Sequence, residues 1–160
     1  MSAIASFIRI PKAALHGLRA AATPRKKLFG GVRCDFPEYL RKHGEEDVNY
    51  PWSGWVFNTL LVYLQEVHQI DLVHSEYDEL SAFLAQSVGG THLFLTPAHR
   101  QAYLTKLESE FESSALCDYY DKFNEANEDG AGEPMLDGIR ALRECLRKLD
   151  HESVVVFSIG

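Results

Sequence analysis

Residues 153–159 read Ser153-Val154-Val155-Val156-Phe157-Ser158-Ile159. The run is continuously apolar between its serines, carries no charge, and closes the chain as a strand. Its counterpart lies at the other end. Residues 3–10 place Ile4, Ser6, Ile8 and Ile10 on one side and Ala5, Phe7 and Arg9 on the other. That period of two also predicts a strand. Strands at both ends with helical patterns between them predict an α+β domain. It is a single compact unit over 1–160, mostly helical, with a small sheet that pairs the N- and C-terminal strands.

The intervening patterns are mainly helical. Pro11 stands where a helix can open, and Ala14, Leu15, Leu18 and Ala22 form a stripe that ends before Pro24. Lys26 to Gly31 reads as a loop turning at Gly30-Gly31, and Phe36 to His43 as a short helix closed by Gly44. The Glu45-Glu46-Asp47 run and Tyr50-Pro51 read as a connection. Trp52 to Ile70 is the strongest core candidate, with Trp55, Val56, Thr59, Leu60, Tyr63, Leu64 and Val67 at helical spacing. Ser75 and Asp78 mark an N-cap before a stripe of Tyr77, Leu80, Phe83 and Leu84. Leu93–Leu95 is a short apolar run, and Thr96-Pro97 opens a helix reaching Phe111. An acidic helix over 113–129 and a Leu-rich helix opened by Pro134 follow.

The chain has 160 residues, 46% hydrophobic and 24% charged, with a net charge of −7. One domain of this size folds without a metal or a disulfide. The negative total argues against general affinity for nucleic acid or an anionic membrane. No run approaches the ~18 apolar residues of a membrane span. The charge is unevenly placed. Residues 1–44 hold nine Lys/Arg against two acids, and residues 45–138 hold three against eighteen. Met1 to Lys27 is rich in Ala and Arg and has no acid, as in a transit peptide. The strand pattern inside it instead makes this segment part of the domain.

Motif searches return no catalytic or cofactor site. Cys34, Cys117 and Cys145 are odd in number and widely spaced, which suits free thiols in a reducing cytoplasm. His68 and His74 are six apart and His92 and His99 seven apart, so neither pair shares a helix face for a metal. Asn127, Asp129 and Gly130 fit an EF-hand loop, but Glu125, Gly132 and Leu136 stand where Asp, an apolar residue and a bidentate Glu are required. No nucleophile elbow, phosphate loop or dinucleotide fingerprint occurs. Arg25-Lys26-Lys27, Arg33, Arg41 and Lys42 form a basic segment interleaved with Phe29 and Phe36. The aromatics read equally as core anchors, and the acidic centre would repel phosphate. A protein ligand, or the acidic surface of the chain itself, is the better partner.

Leu93-Phe94-Leu95-Thr96-Pro97 with its following helix, the acidic helix, the Leu-rich helix 135–149 and Val154-Val155-Val156-Phe157 resemble the YfbM-like family of bacterial proteins. The opening Met1-Ser2-Ala3-Ile4-Ala5-Ser6-Phe7-Ile8-Arg9-Ile10-Pro11 is similar to that family's first strand and Pro-started helix. Asn49-Tyr50-Pro51-Trp52-Ser53-Gly54-Trp55 replaces the family's acid-and-aromatic stretch. The resemblance implies a compact α+β cytoplasmic domain, sometimes found beside secreted toxins as an immunity partner, and assigns no catalytic residue.

Taken together, these features point to a cytoplasmic immunity protein that occludes the active site of a cationic toxin domain. The expected partner-binding surface is Glu108, Glu112, Asp118, Asp121, Glu125, Glu128 and Asp129, with Tyr119 or Tyr120 as aromatic anchors. The alternatives are a small enzyme or ligand-binding protein, with a pocket of Trp52, Trp55 and nearby histidines, and a housekeeping interaction module. No cofactor, metal, nucleic acid or membrane is expected in any of them.

Overall fold

Both chain ends are extended, and they pair with each other. The computed structural model describes residues 3–127 and 130–160. In chain order the described elements are β1 (Ala5–Pro11), a 3-10 turn (Lys12–Gly17), α1 (Leu18–Ala22), β2 (Arg25–Lys26), β3 (Val32–Arg33), α2 (Phe36–His43) and β4 (Glu45–Val48). They continue with α3 (Val56–His68), α4 (Asp78–Val88), β5 (Thr91–Leu95), α5 (Pro97–Leu107), α6 (Ser113–Asn124), α7 (Gly132–Lys148) and β6 (Ser153–Ile159). The fold is α+β. No helix among the described residues is long and apolar enough to cross a membrane.

The main sheet runs β4-β1-β6-β5, antiparallel throughout. β1 and β6 pair along their whole length, from Ala5 opposite Ile159 to Pro11 opposite Ser153. Reciprocal backbone bonds between Ile4 and Gly160, 2.8 and 3.1 Å, extend the pairing past both strands. β6 is central and helices cover both sheet faces, so all its residues but Ser158 are buried. That two-sided burial is why its sequence is continuously apolar. β1 likewise buries Ala5 and Phe7 on one face and Ile10 on the other.

On one face, α3, α6 and α7 pack against Phe7, Val155 and Phe157. Phe7 and Phe157 stack at 4.4 Å, and Phe57 of α3 meets them edge-on at 5.5 and 4.8 Å. These rings contribute roughly 0.5–1.5 kcal/mol per pair beyond the area they bury. Gly138 lets α7 approach α3, since a Cβ there would stand 2.6 Å from a Leu60 methyl. On the other face Leu18, Phe36, Leu40 and Leu84, from α1, α2 and α4, pack on Ile10, Phe94, Val154 and Val156. Cys145 is buried among the α7 leucines, and burial pushes its thiol pKa up.

Several local expectations are corrected. The stripe after Pro11 divides into a 3-10 turn and a five-residue helix, because Tyr39 packs on Gly17 and donates to the Ala14 carbonyl at 2.7 Å. Glu45–Val48 is an edge strand rather than a connection. Arg9 of β1 donates to Glu45 at 3.0 Å and Asp47 at 3.1 Å, so a cation from the neighbouring strand holds a sequence with little strand propensity. α3 begins at Val56, which leaves Trp52 and Trp55 44% and 54% exposed, outside the core helix. α5 ends at Leu107, short of Phe111.

Other expectations match. The loop turning at Gly30-Gly31 stands as expected, and the two-residue strands β2 and β3 pair on either side of it. α2 spans Phe36–His43 and is closed by Gly44. Thr96 caps α5 in a reciprocal box with His99, and Pro97 follows it.

Phe157→Ala should cost about 3–5 kcal/mol of unfolding free energy, read by urea denaturation, because it opens a cavity between two rings. Phe29→Ser, at an exposed turn, should stay within about 0.5 kcal/mol of wild type.

Candidate functional site

The acidic surface is built on α6 and the segment before it. Leu116 is buried, and Tyr119 and Tyr120 are half-buried against the core. Asn124 donates to Thr59 Oγ1 at 3.0 Å and to the Tyr120 carbonyl, which ties the helix end to α3. Glu125 ends the helix in the left-handed region at φ 50°. Glu112, Asp118 and Glu125 are exposed, and Asp121 is half-buried. Lys122 sits among them.

Glu108 caps the end of α5 and pairs with Arg147 of α7 at 3.0 Å. Glu128 and Asp129 lie outside the described residues.

Tyr119 is a packed donor. Its hydroxyl donates to Glu66 Oε2 at 2.8 Å, and its ring meets Tyr63 edge-on at 4.9 Å. Burial, reinforced by the bond to Glu66, pushes its pKa up to about 12, so the hydroxyl stays protonated. The exposed aromatic on this helix is Phe123, 48% accessible and stacked on Tyr119 at 6.0 Å. Sequence reasoning missed it, although its position four residues after Tyr119 puts it one turn further along the same side.

The acidic residues of 45–138 do not all share this face. Glu45, Glu46 and Asp47 lie on the sheet edge, while Asp78 and Glu79 lie on α4 in the opposite helical layer. The concentrated part is 108–125, with six acids and one lysine.

A second constellation was not anticipated. Asp71, His74, Ser75, Glu76, Thr96, His99 and Tyr103 line an open cavity of about 440 Å³. Asp71 Oδ2 accepts from His74 Nδ1 at 2.9 Å, and Oδ1 accepts the backbone N–H groups of Val73 and His74. Burial raises the Asp71 pKa, but these bonds outweigh it and the net shift is downward. The bond to Asp71 raises the pKa of His74, whose side chain is 64% exposed.

His99 is a structural residue. Its Nε2–H donates to the His74 carbonyl at 2.8 Å, and Nδ1 accepts the Thr96 N–H at 3.1 Å. Ser75 Oγ accepts the Tyr77 N–H at the head of α4. The dyad could accept a proton, but its carboxylate shapes a turn and the nearest serine is engaged by the Tyr77 N–H in the next one.

Trp52 and Trp55, the tryptophans of the expected pocket, are 44% and 54% exposed. Trp52 donates to Asp137 at 2.9 Å, and the adjoining cavity of about 390 Å³ is lined by Tyr50, Pro51, Asp137 and three arginines of α7, without histidine. Among the described residues no three His, Cys, Asp or Glu side chains are grouped to hold a metal ion.

No family model matches the chain, and no curated protein or solved structure matches it.

Burial lowers the pKa values of His68, His92 and His99, so their neutral forms are favoured in the folded state. The unfolded chain then takes up more protons as pH falls through about 6.5, and stability falls with it. His74, shifted the other way at an exposed position, opposes this only weakly. Urea unfolding should show lower stability at about pH 5.5 than at about pH 7.5. His99→Gln keeps a residue able to complete the capping box and removes one titrating group, so its pH slope should be shallower. A slope unchanged by His99→Gln would contradict this assignment.

Proposed function

We propose that this chain is a cytoplasmic protein-binding domain of the immunity type, related to the YfbM-like family, that covers the active site of a cationic toxin domain. The supporting observation is the acidic surface of α6 and the segment before it, where Glu112, Asp118 and Glu125 are exposed. The helix is held by Leu116, Tyr120 and the Asn124–Thr59 bond, so its outer carboxylates are presented on a fixed scaffold.

Clustered negative charge speeds encounter with a cationic partner and disfavours anionic ones. The inhibition is steric and asks for no chemistry from the immunity domain. The Asp71–His74 dyad is secondary in this reading, because both residues already serve the turn before α4.

The test is a pull-down from the native host with mass spectrometry, using wild-type and Asp118→Lys/Asp121→Lys baits. Wild type should retain a basic protein at low salt. The variant should bind it roughly 10–100-fold more weakly at low salt, with the difference shrinking as salt rises. Equal affinity of both baits at low salt would remove this surface from the account.

A further inference from the structure

The cavity of about 390 Å³ between α7 and the segment linking β4 to α3 is lined on one side by arginine. Arg140, Arg143 and Arg147 follow one another at spacings of three and four along α7, so they share one face of that helix. Asn49 and Tyr50 form the facing wall. Tyr50 is buried, and its hydroxyl donates to the Pro134 carbonyl of α7 at 2.8 Å, which fixes the wall against the helix. The acids of the cavity are already engaged. Asp137 accepts from Trp52 at 2.9 Å and from Arg140 at 2.6 Å, and Glu144 pairs with Lys148 at 3.6 Å. Arg147 pairs with Glu108. Arg143 differs from its neighbours. It is half-buried and has no ion pair or side-chain hydrogen bond to any described residue.

We propose that this cavity binds a phosphate dianion, carried by a small monoester or free as inorganic phosphate, with Arg143 as its central partner. A guanidinium partly withdrawn from water and left unpaired gains a charge-assisted bond when an anion arrives. Its planar fork takes two oxygens of one phosphate at once. The third oxygen is then open to Arg140 or Arg147, each of which keeps donors beyond those it spends on its carboxylate. Asn49, exposed on the facing wall, adds a side-chain amide. A carboxylate satisfies one fork and carries a single charge, so it fits the same arginines less well.

The volume lies near the lower end of small-molecule sites, which suits a phosphate on a compact body. The net charge of −7 does not decide the matter. Screening over about 8 Å at physiological salt limits the reach of distant carboxylates, and the nearby ones are paired. The site lies on α7 and needs no toxin, so it goes beyond the proposed inhibition.

Backbone amide NMR of the purified full chain tests it, with separate titrations of inorganic phosphate, glycerol 3-phosphate and acetate at about pH 7.5, where phosphate is mostly dianionic. Both phosphates should shift Asn49 and residues 140–147 with a Kd on the order of 1 mM, and acetate should bind about tenfold or more weakly. Whichever phosphate binds more tightly identifies the ester or the free ion as the preferred source. Arg143→Gln should weaken both phosphates about tenfold or more. Arg143→Lys, which keeps the charge and loses the fork, should fall between that variant and wild type. Lys26→Gln/Lys27→Gln, which removes two exposed cations elsewhere, should leave binding unchanged.

Absence of shifts at these residues up to about 20 mM of either phosphate would overturn the proposal. Acetate binding as tightly as phosphate would overturn it in favour of a carboxylate site. Equal weakening by Arg143→Gln and by Lys26→Gln/Lys27→Gln would overturn it in favour of diffuse attraction to the basic residues at large.

Discussion

The antiparallel pairing of β1 with β6 is the constraint on which the other elements depend. It joins the two ends of the chain, so the contacts it makes are the most distant in sequence and carry a high loop-closure cost. That cost is offset by burial on both faces, where Phe7, Phe57 and Phe157 interlock on one side and Ile10, Val154 and Val156 pack on the other. The pairing also gives the helices two faces to cover. α1, α2 and α4 take one face, α3, α6 and α7 take the other, and the basic β2–β3 ribbon and the acidic helix are thereby kept apart.

Much of this frame was legible because its signals are local. A Val-rich terminal run, a period-two run ending at Pro11, Thr96-Pro97 before a helix, and Phe36 to His43 before Gly44 each state their conformation in a few residues. The misreadings share one cause. Glu45–Val48 is a strand because Arg9, 36 and 38 residues away from its partners Glu45 and Asp47, neutralises it. Trp52 lies outside the core because Asp137 of α7 accepts its indole N–H. In each case the deciding partner or pairing lies outside the window in which periodicity is read.

The candidate surface was legible in part. The run of acids from Glu108 to Glu125 is plain in the sequence, but its energetics are not. Arg147 already engages Glu108, and Glu66 already accepts from Tyr119, so neither is as available as charge counting suggests. Phe123 became visible as the exposed ring only once α6 was placed against α3 and α7. Phe36 and Phe29, alike as sequence, separate completely: one is a core anchor, the other the tip of a ribbon. The net charge of −7 is likewise an average over unlike surfaces, and it conceals the cationic ribbon as well as the acidic helix.

The central claim is that recognition is concentrated on α6 and the segment leading into it, instead of spread over all the carboxylates. Titration of the labelled protein with a short oligolysine at low salt, followed by backbone amide NMR shifts, tests this most directly. Shifts should concentrate at residues 108–125 and at Glu66, and should disappear on adding salt. Equal shifts along β4 and α4, or none at α6, would contradict it.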